Sequence, residues 1–243
     1  HQWLQKAATS LNKRGPDNQQ FTTIGNAALI HARLSVIDTS TAANQPIYDA
    51  SGRYAIVFNG EIFNYKSIKE ELEQKGFQFK TQSDTEVLLY AYIQFGEACL
   101  HKLNGFFDFA IYDKDEDKFF IACDRFGIKP LYYFKDENYF FFGSELKTLL
   151  QFPISKEINW SAVSLYFQLN YIPGKKSIFK NIYRLEPGCY IEVYNKHCTI
   201  SKWYTIPYQA VQAEHTQLSY DAQKKKLVEL MDDAVRLRLI ADV

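Results

Sequence analysis

The spacing of apolar positions changes several times along this chain, and the changes mark out its elements. Residues 3–12 read as the end of a helix, and Arg14-Gly15-Pro16-Asp17 then punctuates as a turn. Residues 27–37 and 54–58 read as strands, the second running directly into Asn59-Gly60. Asn64 stands as a cap ahead of Tyr65, Ile68 and Leu72, which share one helical face, and Gly76 stops that helix. Ser83-Asp84-Thr85-Glu86 has the form of a capping box before a helix over 87–95, ended by Gly96.

From 106 to 143 the runs 106–112, 119–123, 131–134 and 139–142 are aromatic and apolar, separated by polar turns, and predict a β-meander. Two further strands follow at 190–194 and 199–203, and residues 218–240 read as an amphipathic helix with Leu227, Leu230, Met231, Val235 and Leu239 on one face. Strands, two helices and strands again predict an α+β layered domain on antiparallel sheets over residues 1–206. Residues 207–218 are polar and irregular and read as a linker, and 219–243 would open a second domain.

Composition narrows this little. With 243 residues, 47% of them hydrophobic, the chain can bury a sizeable core, and 19 Phe and 17 Tyr favour sheets. Lys plus Arg and Asp plus Glu number 28 each, so nothing points to a nucleic-acid partner. No stretch approaches the roughly 18 consecutive apolar residues of a membrane span. Cys99, Cys123, Cys189 and Cys198 are scattered, without metal-ligand spacing, and read as reduced thiols of a cytoplasmic protein that holds no metal. The chain starts His1-Gln2-Trp3, its one methionine is Met231, and it stops within an apolar run. A processed protein, or a segment of a longer one, is therefore expected.

Four short segments carry candidate chemistry: Arg14-Gly15-Pro16-Asp17, His31 to Asp38, Asn59 to Asn64, and Ser83 to Glu86. Each has a plain structural explanation. The first is a surface turn, Arg33 an edge charge, Asn59-Gly60 a strong hairpin signal, and Asp84 an acid at a helix start. Taken together they describe a site for a free amino acid. Arg33 offers a planar fork for a carboxylate, and Glu61 and Asp84 offer anions for an ammonium. For an amide substrate, the Asn59 carboxamide and the unhindered Gly60 N–H are suitable donors to a tetrahedral oxyanion. A nucleophile is the missing part.

In this order and spacing, the four segments resemble the class II glutamine amidotransferase domain of glutamine-hydrolysing asparagine synthetases. The resemblance continues through Asp124–Tyr133, Gly143–Leu150, Tyr171–Gly174, Leu185–Gly188 and Asp232–Val243, nearly the whole chain. It implies a four-layer αββα N-terminal-nucleophile hydrolase sandwich of antiparallel sheets, followed by the first helix of a synthetase domain. It implies that Arg33 holds the glutamine carboxylate, that Asn59 and Gly60 form the oxyanion hole, that Glu61 and Asp84 bind the amine, and that Arg14, Gly15, Pro16 and Asp17 shape the pocket. Ammonia would pass to a synthetase domain that uses ATP and Mg²⁺ to amidate aspartate, and a homodimer is compatible with this.

Two departures stand out. The family's nucleophile is a cysteine at the mature N-terminus whose own amine activates it, and no residue here matches it. The Ser-Gly-Gly-x-Asp-Ser type loop that reads ATP phosphates is also absent from these residues. The 243 residues by themselves are therefore expected to be inactive. Two other readings compete: a catalytically silent glutamine-binding regulatory module, and a paralogue that amidates another carboxylate.

Overall fold

The structure, a computed structural model, describes residues 2–208 and 218–241. Its middle is a six-stranded antiparallel sheet with apolar side chains on both faces. The strands lie in the order β11 (His197–Lys202), β10 (Cys189–Tyr194), β6 (Lys118–Cys123), β5 (Gly105–Asp113), β4 (Tyr54–Ile62) and β3 (Ile47–Tyr48). The period of two sends Ile56, Phe58, Phe107, Phe109 and Ile111 to one face and Ala55, Val57, Ala110, Tyr112 and Ile121 to the other. A sheet that is apolar twice over has to be covered twice.

Helices α2 (Tyr65–Gln74), α3 (Asp84–Phe95) and α4 (Cys99–Lys102) cover the first face through Tyr65, Ile68, Leu72, Leu88 and Leu100. The second face meets the hairpin of β1 (Asn18–Ile24) and β2 (Ala27–Arg33), with Ile24 and Leu29 in the shared core. Beside the hairpin lies a three-stranded sheet in the order β8 (Phe140–Gly143), β7 (Tyr132–Lys135) and β9 (Ile182–Arg184). Helices α1 (Gln2–Ser10) and α5 (Leu146–Leu149) close the outside, joined by the Ser10 and Thr148 hydroxyls at 2.9 Å. The layers therefore run helix, sheet, sheet, helix, as the resemblance implies.

The predicted meander is corrected. Strands β5 and β6 pair in the large sheet, whereas β7 and β8 pair in the small one, so the chain changes layers after Cys123. Asp124 makes the crossover. Its buried carboxylate accepts from the N–H groups of Phe107, Phe126, Ile128 and Lys129, which folds residues 124–129 around one side chain. Strands β1 and β9 and helix α6 (Trp160–Leu169) have no counterpart in the sequence reading. The α6 sequence, apolar at most positions, has little periodicity; Asn159 caps it by accepting from Ala162 N–H.

Two helix starts also differ. Asn64 does not cap α2 with its side chain; it donates to the Lys102 carbonyl and accepts from Asn104 N–H, tying α2 to the end of α4. Ser83 caps α3 by accepting from Thr85 N–H at 3.1 Å, but Glu86 does not reach back to Ser83. Its buried carboxylate accepts instead from the N–H groups of Lys80 and Thr81 and from the Thr81 hydroxyl. The last helix, α7 (Tyr220–Leu237), forms inside the predicted 218–240, and its Leu227, Leu230, Met231 and Val235 are exposed. The predicted linker at 207–218 falls mainly on residues outside those described. Among the described residues no helix is long and apolar enough to cross a membrane.

The two ends of the apparent capping box should therefore contribute unequally to stability. Ser83→Ala removes one cap bond and is expected to cost about 1 kcal/mol. Glu86→Ala strands several buried donors and is expected to cost roughly 2–4 kcal/mol. Urea unfolding of both variants measures the difference; equal losses would restore the reciprocal box.

Candidate active site

The four segments singled out from the sequence are bonded to one another directly. Asp17 N–H donates to the Arg33 carbonyl at 3.1 Å, and Ser35 N–H donates to the Asp17 carboxylate at 2.7 Å. Gly15 presses on the same strand, where a Cβ would lie 2.1 Å from the Ala32 carbonyl carbon. Only a residue without a side chain lets the turn sit there. Arg14 points outward to Glu145, at 2.9 Å, and Pro16 is exposed. The second segment joins the third through His31, whose Nε2 lies 3.1 Å from the Phe58 carbonyl. Burial lowers the His31 pKa to about 4, so the ring is neutral at pH 7 and donates this bond. Asp38 ties the second segment to the residue just before the fourth by accepting from Gln82 N–H at 2.7 Å. Asp84 joins the fourth to the third by accepting from Ile62 N–H at 3.0 Å.

Asn59-Gly60 is not a turn. Both residues lie within β4, opposite Asp108 and Phe107 of β5, so the hairpin explanation does not apply. Gly60 has φ +155°, and a Cβ there would lie 2.2 Å from the Phe106 carbonyl oxygen and 2.7 Å from Phe107 Cα. The glycine is required by the approach of β5.

Strand alternation aims the even-numbered amides of β4 away from β5, toward the edge where β3 covers only Ala55 and Ile56. Along that edge Phe58 N–H donates to the buried Gln45 carboxamide at 2.6 Å, and Ile62 N–H donates to Asp84. The Gly60 N–H between them goes to no acceptor among the described residues. The neighbouring Asn59 Nδ2 donates to Asp108 at 2.8 Å and keeps a second N–H.

The two acids and the arginine of the site are held differently. Among the described residues neither Glu61 nor Asp84 pairs with a cation. Burial raises the Asp84 pKa to about 6, and the nearby Glu61 adds to this against the Ile62 and Thr85 N–H groups. Arg33 is buried at the end of β2, and the open carboxylate fork expected of it is not what the structure shows. Nη1 donates to the Ser40 carbonyl and the Asn44 side-chain oxygen, both at 2.8 Å, and Nη2 donates to the carbonyls of Ile37 and Asp38. All four acceptors are neutral, so the guanidinium clamps the 37–44 loop, and its charge helps to lower the pKa of the Asp38 carboxyl.

A cavity of about 430 Å³ lies between the two sheets, lined among others by Leu4, His31, Asn59, Asp108, Phe141 and Ser144. Of the expected site residues Asn59 alone reaches it. Asp84 meets β4 at the edge toward β3 through Ile62 N–H, and Arg33 stands at the end of β2. The cysteines offer no nucleophile: Cys99, Cys123 and Cys189 are buried, and burial pushes the Cys99 and Cys123 thiols up to about 12. Cys198 lines the cavity but sits on β11, with its thiol also raised by burial. Gln45, Asp38 and Asp108 were not anticipated as site residues. Only Asp108 carries a sequence signal, as a lone acid within the apolar run Phe106–Tyr112.

Comparison with known proteins gives the family of the chain. Asparagine synthetase [glutamine-hydrolyzing] 3 of Bacillus subtilis is 33% identical over 246 residues, covering 100% of this chain and 39% of that protein. A putative asparagine synthetase [glutamine-hydrolyzing] 2 of Methanocaldococcus jannaschii is 35% identical over 268 residues, covering 99% of this chain and 50% of that protein. The chain thus spans half or less of the length of these relatives. Among solved structures, the glutamine phosphoribosylpyrophosphate amidotransferase of B. subtilis superposes with a TM-score of 0.52 at 20% identity, over 74% of this chain and 35% of that one. That likeness shows the fold, an N-terminal-nucleophile hydrolase sandwich. The profile described as a glutamine amidotransferase domain matches residues 1–204. The chain therefore belongs to the glutamine amidotransferase domain family and is homologous to the corresponding part of glutamine-hydrolysing asparagine synthetases.

Proposed function

We propose that this domain binds glutamine and releases its amide nitrogen as ammonia for a synthetase that converts aspartate to asparagine. One observation carries the reading: the open Gly60 N–H and the Asn59 carboxamide lie beside two acids, Glu61 and Asp84, that lack a cation. Donors for an oxyanion and anions for an ammonium then share one strand edge. The α-ammonium of glutamine would sit against Asp84 and Glu61. Its carboxylate would face the Arg33 guanidinium, while Arg14, Gly15, Pro16 and Asp17 keep β2 in place. Attack on the side-chain amide places negative charge on its oxygen, where Asn59 Nδ2 and Gly60 N–H donate. Each such donor is worth roughly 2.7–4 kcal/mol in the transition state.

In this reading the nucleophile belongs outside these 243 residues, because Cys99, Cys123 and Cys189 are buried, Cys198 sits within β11, and no internal amide nitrogen can act as a base. Taken by itself, the chain has no glutaminase activity in this reading. ATP and Mg²⁺ belong to the synthetase part as well. The phosphate-reading loop is absent from this sequence, and no group of three metal-ligating side chains occurs among the described residues. No step through either is placed here. Residues 1–206 would form the glutaminase domain, 207–218 the linker and 219–243 the first helix of the synthetase domain, in a cytoplasmic enzyme.

Three measurements on the full-length synthetase test these roles, each comparing glutamine with free ammonia as nitrogen source. Asn59→Ala should lower the glutamine-dependent rate about 10²–10³-fold, the cost of one oxyanion donor, with ammonia-dependent synthesis retained. A variant with normal glutaminase would remove Asn59 from the site.

Arg33→Lys keeps the charge but loses the planar fork and the clamp on residues 37–44. It should raise KM for glutamine about tenfold or more and lower the melting temperature, leaving the ammonia reaction in place. Equal loss with both nitrogen sources would make Arg33 purely structural.

Asp84 must be ionised to hold an ammonium, so KM for glutamine should fall as pH rises through about 6, and Asp84→Asn should abolish that dependence. The stability effect has the opposite sense. A carboxyl with a raised folded pKa stabilises the fold fully below its unfolded value, and that contribution is lost as pH rises through about 6. Asp84→Asn should therefore melt higher than the parent at pH 8, with the difference shrinking toward pH 4. A melting difference independent of pH would show that Asp84 is not the titrating group.

A further inference from the structure

Asp108 has no place in the machinery described so far. It lies in the middle of β5 between Phe107 and Phe109, and it is only 6% exposed. An apolar side chain of that size would pack there at less cost, because a buried carboxyl without a cation has to be tolerated. No described residue forms an ion pair with it. Its one hydrogen bond is the 2.8 Å contact from Asn59 Nδ2, directly across the β4–β5 ladder.

We propose that Asp108 is a positioning residue for the oxyanion donor: from the adjoining strand it engages one N–H of the Asn59 carboxamide and so aims the other at the substrate oxygen. The inference rests on the oxyanion role of Asn59 proposed above. A carboxamide turns readily about its last torsion, and a free Asn59 would spend time aimed elsewhere. Two residues facing each other across a nine-pair ladder hold that torsion more firmly than a loop could.

The charge state of Asp108 then matters. Burial raises its pKa to about 7, the Asn59 bond, Lys129 and Arg14 oppose this, and Asp124 adds to it. These groups approach from β4, the 124–130 crossover, the end of β6 and the turn after α1. His31 of β2 lines the same cavity and is neutral. A neutral Asp108 accepts the Asn59 N–H through its carbonyl oxygen and adds no charge. An ionised Asp108 sets a negative charge beside a developing one. Glutamine-dependent kcat should therefore fall as pH rises through about 7. Glu61 and Asp84, which would hold the ammonium, act on KM instead.

The test measures kcat and KM for glutamine and for ammonia between about pH 6 and 9 in the full-length synthetase carrying Asp108→Asn, Asp108→Ala or Asn59→Ala, a range bracketing the ordinary reach of a carboxyl shifted by burial. Asp108→Ala should lower glutamine kcat about tenfold or more, with KM little changed and ammonia use intact. Asp108→Asn still accepts from Asn59, so it should restore most of kcat and lose the alkaline fall. In the 243-residue chain, the Asn59 side-chain ¹⁵N–¹H resonances should titrate near pH 7 and cease to do so in Asp108→Asn; this readout needs no turnover and no alanine variant. Normal glutamine kcat in Asp108→Ala, or an unaltered pH profile in Asp108→Asn, would overturn the proposal. Normal glutamine turnover in Asn59→Ala would instead remove the oxyanion reading, whatever the resonances do.

Discussion

The pairing of β4 with β5 is the constraint on which the rest of this structure depends. Nine residue pairs, from Tyr54 opposite Asp113 to Ile62 opposite Gly105, set which side chains enter which core. A slip of one residue would exchange the two faces, sending Phe58 and Phe107 into the inter-sheet core and Ala55 and Ala110 under the helices. The same register places Asn59 against Asp108 and leaves the Gly60 N–H at the open edge. Core and site are thus specified by one ladder. Gly60 is where the two requirements meet, since β5 approaches too closely for any side chain there.

Around that ladder the site is assembled by side chains that replace backbone partners. Beyond Ile56, β4 has no neighbouring strand on its β3 side, and its exposed amides need acceptors. Gln45 and Asp84 supply two of them, one from the loop before β3 and one from the start of α3. Asp38 and Arg33 then hold the 37–44 loop to the same region. An edge satisfied by side chains keeps a gap where a strand would leave none. Glu61 and Asp84 pair with no cation among the described residues, and in the proposed reading the ammonium of glutamine supplies one.

Much of this was readable from the residues. The apolar periodicity located most of the helices and strands, because burial on one face imposes a period that a local window can detect. Arg33, Asn59, Gly60, Glu61 and Asp84 were legible as candidates for an amino-acid site because carboxylate, ammonium and oxyanion each call for a particular residue type. Strand β1 was not legible because it is largely exposed and carries little apolar period, and β9 because it is only 3 residues long. Helix α6 was missed for the opposite reason, an almost uniformly apolar sequence.

By itself, then, the sequence determined the α+β class, the order of most of the elements and the residue types of the candidate site, all of which follow from residue type and near-neighbour spacing. Only the tertiary structure decided that Asn59-Gly60 lies within a strand and not in a turn, that the 106–143 region divides between two sheets at Asp124, and that the Arg33 fork grips a loop. Each of these depends on a partner far along the chain: Phe107 and Asp108 for the first, Phe107 again for the second, and the acceptors of the folded 37–44 loop for the third. A local pattern states what a residue is able to do; the partner that folding brings to it decides which of those things it does.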